Sequence, residues 1–223
     1  MAKICEKGLI VSKVGMTRMV DTEGRVIPVT LLKVEDQRVT KLLTPERDGY
    51  YGYQVGYAPG AEKNLTKADI SRLRKVEVEG NYSKFIEFRT SAATDSEIGR
   101  AMTAELFQGV GAVDVTGVTR GRGFQGAVKR WGSRIGRKSH GSRFHRRPGS
   151  LGQNTSPGRV FKNKHQPGQM GVAMRTVRNI RVMDVDTVNN VIAVKGSVPG
   201  HKEGFLEIRP TNKAGKVNRE PQG

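Results

Sequence analysis

The chain has 223 residues, of which 39 are Lys or Arg and 21 are Asp or Glu, so the formal net charge is +18. Only 35% of the residues are apolar and 28 are Gly, which predicts a hydrophobic core smaller than the length would allow. The single cysteine, Cys5, excludes an internal disulfide framework and any multi-cysteine zinc or iron–sulfur site.

The N-terminal residues carry no signature of export or of membrane insertion. Met1–Gly8 contains Lys3, Glu6 and Lys7 and leads into a short apolar run. A segment of this kind is neither a secretory signal nor a membrane span. We therefore expect a cytoplasmic protein with no membrane partner.

The N-terminal part of the chain predicts β structure. Apolar-rich runs lie at residues 8–14 and 25–34, separated by a turn-forming Asp-Thr-Glu-Gly sequence. Residues 37–43 and 50–57 continue the pattern. Several short strands at this spacing favour a barrel or a sandwich over a helical bundle.

Two helices are predicted after these strands, because a capping-box sequence precedes each of two apolar runs. Thr66–Asp69 precedes residues 70–76, and Thr94–Glu97 precedes residues 98–107. In this geometry the Thr hydroxyl accepts a hydrogen bond from a free backbone N–H of the first helical turn. We interpret both boxes as structural features and expect a strand at residues 113–119 after them.

The centre of the chain carries almost all of the net charge. Between Val115 and Met183, a stretch that we call the basic segment, there are 16 Lys or Arg residues and no Asp or Glu, while the other 23 basic residues are nearly balanced by all 21 acids. Residues 117–171 show neither helical nor strand periodicity and include 12 Gly, so they cannot bury a core of their own. Such a concentration of charge predicts a dense polyanion, above all nucleic acid, as the partner.

The composition of the basic segment favours RNA over regular duplex DNA. Its cations are 12 Arg and four Lys, and the planar Arg fork grips phosphates at two points and stacks on bases, which folded RNA exposes. Interleaved Gly residues let backbone N–H groups approach phosphates, and aromatic and imidazole rings offer stacking faces. The predicted RNA-binding residues are Arg120, Arg122, Lys129, Arg130, Trp131, Arg134, Arg137, Lys138, His140, Arg143, His145, Arg146, Arg147, Arg159, Lys162 and Lys164.

Simpler interpretations of the basic segment are a disordered tail that binds any anion and a solvated run of charge without a role. A solvated run would mix signs, and a tail would be terminal and rich in Lys, whereas this segment is internal and rich in Arg. Strands are expected after the aperiodic residues 117–171, with a β-hairpin at residues 177–185 and 190–195 and a last strand at 205–208. The polar tail 211–223 is expected to fray.

A dinucleotide-binding motif in the basic segment lacks the surrounding elements that such a site requires. Gly121–Gly126 matches G-x-G-x-x-G after a predicted strand, but Gly132 follows six residues later, too early for a crossover helix. No acidic residue that could bind a ribose appears before Asp184. We therefore expect no cofactor.

Neither a metal site nor a catalytic site is predicted. His140, His145 and His165 have no Cys or carboxylate nearby to complete a metal shell, and the surrounding cations oppose a divalent ion. The alternative function, an RNA-processing or RNA-modifying enzyme with a basic substrate arm, would depend on residues such as Asp114 or Asp184. A DNA-compacting protein is the third class considered. Because the basic segment has no carboxylate, we predict that the protein is not an enzyme.

Short motifs along most of the chain resemble, in order, those of one known family. The matching runs are Gly8–Ile10, Lys13–Thr17, Ile27–Thr30, Asp114–Thr116, Gly121–Gly126, Lys129–Trp131, Arg147–Asn154, Pro157–Lys162, Gly168–Gly171 and Val194–Gly200. The chain is thereby similar to the universal large-subunit ribosomal protein three family, in its bacterial form. Each run is short, but together they are highly specific.

This resemblance implies a mainly β fold with an α insertion (α+β), in which a translation-factor-like β-barrel carries a small helical insertion and a long extended basic loop. The implied segments are 1–59, the first part of the barrel; 60–110, the helical insertion; 111–116, a barrel strand; 117–174, the rRNA-penetrating loop; 175–210, the remainder of the barrel; and 211–223, a flexible tail.

The resemblance also implies a function without catalysis. The protein would be a structural constituent of the large ribosomal subunit that binds large-subunit rRNA early in assembly, near its 3′ end, beside neighbouring ribosomal proteins. Its loop would extend toward the peptidyl transferase centre. Gln153 matches a glutamine that is N5-methylated in some members, which implies a glutamine methyltransferase as a possible partner. The chain departs from the family pattern at Val172, where an Asn is expected, and residues 134–147 are unusually rich in Arg.

Overall fold

The computed structural model describes residues 7–21, 23–78, 80–93 and 97–211. In chain order the elements are β1 (Leu9–Val20), β2 (Val26–Val34), β3 (Arg38–Leu43), α1 (Pro45–Asp48), β4 (Gly52–Pro59), α2 (Lys67–Lys75), β5 (Tyr82–Arg89), β6 (Ala112–Val118), β7 (Phe124–Gln125), α3 (Ala127–Trp131), β8 (Gly168–Gln169), β9 (Met174–Asp186), β10 (Val191–Lys195) and β11 (Phe205–Pro210), with 3₁₀ turns at Glu62–Asn64 and Ala104–Phe107. The predicted class, mainly β with a few helices, is confirmed. No helix among these residues is both long and apolar enough to cross a membrane.

The chain divides by its internal contacts into two units. We call Met1–Gly117 together with Arg175–Gly223 the body, and Val118–Met174 the arm. The body is therefore built from two separated stretches of sequence, and the arm is inserted between them.

The body contains a closed barrel of six strands in the order β1-β11-β6-β9-β10-β2, and β2 pairs with β1 to close it. β1 pairs with β11 through residues 9–12 and with β2 through residues 11–20. A bulge between Lys13 and Gly15 bends the strand as its pairing with β2 continues. Closure removes the free edges that an open sheet would expose.

Apolar side chains from the barrel strands fill its interior. Leu9 and Val11 of β1, Leu32 of β2, Ile192 of β10 and Ile208 of β11 are fully buried. Burial of one such side chain contributes about 1.5–3 kcal/mol to folding. The barrel therefore supplies the apolar core that the basic segment lacks.

β3 and β4 do not join the barrel, although residues 1–59 were expected to build its first part. They pair with β5 in a separate sheet of order β3-β4-β5. β5 itself lies within residues 60–110, which were expected to form a helical insertion. Sequence alternation predicts that a segment is a strand but not which strand it pairs with, because pairing is decided by long-range packing.

Buried polar contacts fix the start of β1 to the segments around this sheet. The Tyr53 hydroxyl accepts a hydrogen bond from the N–H of Gly8 at 3.0 Å. The Gln37 side chain accepts from the N–H of Ile10 at 3.0 Å and donates to its carbonyl at 2.8 Å. Gln37 is only 1% exposed, so these bonds satisfy backbone groups that water cannot reach.

One of the two predicted helices is confirmed and the other is wrong. The Thr66 hydroxyl accepts from the N–H of Asp69 at 3.2 Å and caps α2 as expected. Of the second capping box, Thr94 to Ser96 lie outside the described residues. Only a 3₁₀ turn forms between 98 and 107, because residues 99–102 instead bond along the edge of β3, with the N–H of Val39 donating to Arg100 at 3.1 Å.

The hairpin predicted after the basic segment is confirmed. β9 pairs with β10, and the Asp186 carboxylate accepts from the N–H groups of Val188 and Asn189 at 3.0 and 3.1 Å. Asn190 then takes a left-handed conformation, with φ of 52°. Both features are typical of tight turns. The tail expected to fray lies outside the described residues from 212 onward.

Candidate nucleic-acid interface

The arm connects β6 to β9, so both of its ends continue into barrel strands. It holds 13 of the 16 cations of the basic segment and no acidic residue. The other three, Arg175, Arg178 and Arg181, lie exposed on β9. The predicted set of RNA-binding residues omitted these three, although the same charge pattern includes them.

Backbone hydrogen bonds join the two limbs of the arm near its ends, and we call this arrangement the base ladder. The N–H of Thr119 donates to the carbonyl of Ala173 at 3.0 Å, and that of Arg122 donates to Met170 at 2.9 Å. The two-residue strands β7 and β8 extend the ladder. The ladder was not predicted from the aperiodic sequence of residues 117–171, because so short a ladder leaves no periodic signal.

The limbs approach each other closely at Gly171. A Cβ atom at this position would lie 2.0 Å from the carbonyl oxygen of Arg120, and the φ angle is 79°. Both facts require glycine, since other residues clash there and rarely adopt that conformation. The neighbouring Val172 has φ of 54°, which is unusual for a β-branched residue. Asn, the residue that the sequence resemblance leads us to expect here, adopts this conformation more readily.

A second junction between the limbs lies at the end of α3, and we call it the clasp. Arg130 Nη1 and Trp131 Nε1 both donate to the carbonyl oxygen of Gln166, each at 2.9 Å. The rings of Trp131 and His165 stack with centres 4.5 Å apart and planes 5° apart. The Arg130 side chain fits here because Gly168 has no Cβ, which would lie 2.6 Å from Arg130 Nη1.

Beyond the clasp the arm has only local order. The N–H of Gly136 donates to the carbonyl of His145 at 2.7 Å, and the Phe144 ring packs against Gly136 and Gly149. His140 and His145 take left-handed conformations, with φ of 56° and 42°. Phe144 remains 44% exposed, so this contact does not amount to a hydrophobic core.

The predicted RNA-binding residues are nearly all at the surface. Arg130 is half-buried by the clasp, and all the other cations of the arm are exposed, as are Trp131, His140 and His145. The arm contains no acid, so no charge within it is neutralised by a carboxylate of its own. Mutually repelling cations at this density favour a polyanionic partner.

Gln153 is also exposed, next to a turn stabilised by a neighbouring serine. The Ser150 hydroxyl donates to the carbonyl of Gly152 at 2.9 Å and accepts from its N–H at 3.4 Å. This local bonding presents the Gln153 side chain on a short, ordered bend. Its amide is open to solvent in the isolated chain.

The acids that an enzyme would need are committed to structural contacts. An Asp114 carboxylate oxygen accepts from the N–H of Asn179 at 3.0 Å, and one of Asp184 accepts from the N–H of Val185 at 2.8 Å. In the part of the chain that the structure describes, no group of three or more His, Cys, Asp or Glu side chains could hold a metal ion.

Asp114 also lines a polar cavity of about 340 Å³ in the body. The lining residues are Glu87, Arg89, Asp114, Thr116, Thr176, Glu207 and Arg209. Glu87 accepts from the Tyr50 hydroxyl at 2.8 Å, and this bond raises the pKa of Tyr50 above its ordinary value. The Thr116 and Thr176 hydroxyls bond to each other at 2.8 Å. These groups satisfy one another and do not form a nucleophile–base pair.

Comparison with known proteins points to a single family. The family model described as ribosomal protein L3 matches residues 60–190. The large ribosomal subunit protein uL3 of Alkaliphilus metalliredigens is 43% identical over 212 residues, covering 94% of this chain and 100% of the relative. Those of Geotalea daltonii and Acetivibrio thermocellus are each 42% identical, over 94% and 95% of this chain and 99% and 100% of the relatives.

Proposed function

The chain belongs to the ribosomal protein L3 family, and on that premise we propose how its arm and body serve the large ribosomal subunit. The protein is a structural constituent of that subunit, not an enzyme, and its place is in the ribosome, in the cytoplasm. Its partners are the large-subunit rRNA and neighbouring ribosomal proteins. The base ladder, the clasp and the exposed cations are the features through which we explain binding to these partners.

The arm is the rRNA-binding element in this proposal. The observation that carries it is the set of exposed cations on an internal segment without a single carboxylate. Each cation that meets a phosphate releases condensed counterions, which drives binding with a slope of about −0.7 in log K against log salt per contact on single strands and about −0.9 on duplexes. The site residues are the sixteen predicted ones, together with Arg175, Arg178 and Arg181.

We also propose a location for the arm within the subunit and a stage of assembly at which it binds. We place the arm in the rRNA interior, directed toward the peptidyl transferase centre, and its binding early in assembly near the 3′ end of the rRNA. The barrel would be of the kind shared with translation factors. Support comes from the connection of both arm ends to barrel strands, since a closed apolar barrel can fold before RNA is present.

Gln153 is proposed as a methylation site for a glutamine methyltransferase. Its amide is exposed on a bend that an enzyme could grip, and rRNA would cover it after assembly. The enzyme would therefore act on the free chain. Mass spectrometry of the peptide containing Gln153 from purified subunits tests this, because methylation adds the mass of one CH₂ group and an unmodified peptide contradicts it.

Sedimentation of cell extract at moderate salt tests the proposed function as a whole. We expect the protein to co-migrate with large subunits in a one-to-one ratio. A free pool of the protein with RNA-modifying activity would instead support the enzyme alternative.

A further inference from the structure

The clasp has an exposed side that none of its contacts within the arm uses. The Trp131 indole covers one face of His165, yet the His165 side chain remains exposed. Within the described residues the imidazole nitrogens of His165 take part in no hydrogen bond. The exposure of the residue leaves ring surface outside the Trp131 contact accessible to solvent.

Several contacts hold this ring in place before any ligand arrives. Trp131 is fixed by its hydrogen bond to Gln166 at 2.9 Å, and the same carbonyl accepts from Arg130. The guanidinium carbon of Arg130 lies 5.0 Å from the centre of the Trp131 ring, close enough for a cation–π attraction. His165 is thus held against a ring that cannot easily turn, which lowers the entropic cost of stacking on its free face.

We propose that the free face of His165 is a stacking site for a single unpaired nucleobase, a purine for preference. This inference rests on the proposed rRNA-binding function and adds a residue outside the predicted set. A flat, exposed imidazole already parallel to an indole matches the geometry in which RNA-binding proteins receive splayed-out bases. A purine offers the larger ring surface for this contact.

Charge around the ring fits a nucleotide better than a base alone. Lys164 precedes His165 in the chain and is exposed, and Lys162 is exposed nearby in sequence. One phosphate of the same nucleotide can therefore meet a cation while its base lies on the imidazole. The edge nitrogens of His165 are available to hydrogen-bond a polar group of the base.

The test uses the full chain and two single-stranded RNA probes of six nucleotides. One is hexa-adenylate, and the other has the same phosphates and sugars but no bases. We expect hexa-adenylate to shift the ring protons of His165 upfield in the NMR spectrum, and the abasic probe not to do so. Trp131 is the only tryptophan of the chain, so its indole signal and fluorescence report on the clasp without ambiguity.

Three variants separate stacking from other effects. His165→Ala should weaken hexa-adenylate binding about tenfold while leaving abasic binding unchanged, and His165→Phe should restore most of the loss because it keeps a flat ring. His201→Ala is the matched control, since it removes an exposed imidazole of the body that lies outside the predicted RNA-binding set and stacks on no ring in the described residues.

The outcomes distinguish this inference from the proposed function. If both probes bind equally well and His165→Ala behaves like His201→Ala, the stacking site is refuted while RNA binding by the arm stands. If neither probe binds, the rRNA-binding function itself fails. If His165→Phe binds as poorly as His165→Ala, the imidazole acts through its nitrogens and the stacking proposal is overturned.

Discussion

The body and the arm hold themselves together by different means. In the body, apolar side chains from the barrel strands and the three-stranded sheet form one continuous core, with residues such as Leu32, Phe88 and Ile208 fully buried. Among the described residues of the arm, Ala127 is the only hydrophobic residue that is buried. The arm is ordered by the base ladder and the clasp, which are hydrogen-bonded and stacked contacts. Burial therefore organises the body, and hydrogen bonds and ring stacking organise the arm that we propose binds rRNA.

The charges of the two regions differ in the same way. Several cations of the body form ion pairs with acids, as in Arg25 with Asp21 at 3.2 Å and Arg72 with Asp69 at 3.0 Å. The arm has no acid with which to do so. Concentrating cations in a segment without acids does not stabilise a fold. It does favour binding when those cations exchange their counterions for rRNA phosphates.

The largest expected effect concerns the core of the body. Leu32→Ala should lower the free energy of unfolding by about 2–5 kcal/mol, because it leaves a cavity in the fully buried interior of the barrel. Leu151→Ala in the arm is the control, and since Leu151 is 38% exposed its effect should be below about 1 kcal/mol. Chemical denaturation followed by circular dichroism measures both. Equal losses would show that the arm shares a buried core.

The next effect concerns the unpaired charges of the arm. Replacing Arg143, Arg146 and Arg147 together by Ala should reduce the slope of log K against log salt for rRNA binding by about 2 to 3 units, because three phosphate contacts are lost. Filter binding to isolated large-subunit rRNA over a range of salt concentrations measures the slope.

A triple variant of the body provides the matched control for that measurement. Arg25, Arg72 and Arg74 are each ion-paired with an acid, and their replacement by Ala removes the same formal charge. The salt slope of this variant should remain near that of the original chain. A slope unchanged in the arm variant as well would show that Arg143, Arg146 and Arg147 do not meet phosphates.

Hydrogen exchange of backbone amides distinguishes the base ladder from the part of the arm beyond the clasp. In the free chain the amides of Thr119, Arg122 and Met170 should exchange slowly, because they donate to the opposite limb. Those of Arg137 and Arg143 donate no such bond among the described residues and should exchange quickly. In the assembled subunit both sets should be protected. Slow exchange at Arg137 and Arg143 without RNA would mean that the arm is packed throughout.

The smallest expected effect concerns the strained residue of the base ladder. Val172→Asn should stabilise the ladder by about 1 kcal/mol, since Asn tolerates the left-handed conformation better than a β-branched residue does. Exchange at the Thr119 amide should then slow about fivefold. Val177→Asn, at an exposed strand residue without a positive φ, should give no such slowing. Faster exchange in Val172→Asn would show that the left-handed conformation of Val172 does not destabilise the base ladder.

The local features of this fold could be predicted from the sequence, whereas its long-range pairings could not. The cap at Thr66 and the β9–β10 hairpin depend on neighbouring residues and were predicted. The partners of β3 and β4 depend on β5, which lies beyond α2, and the second helix was lost to pairing with the edge of β3. The residues within a segment do not determine which distant strand it pairs with.

The same distinction applies to the candidate site. Charge composition indicated the arm and all of its cations, because the absence of acids can be seen directly in the sequence. The stacking role proposed for His165 could not be predicted, since it depends on the ring of Trp131 on the opposite limb. In the sequence that histidine was rejected as a metal ligand and was not included in the predicted RNA-binding set. A contact between residues so far apart requires the fold to be known.

The close approach at Gly171 restricts how RNA can surround the arm. With the two limbs separated there by less than the width of a side chain, no nucleotide can pass between them at that level. In the proposed complex the arm is therefore a closed stem at that level, and RNA strands can run only around it.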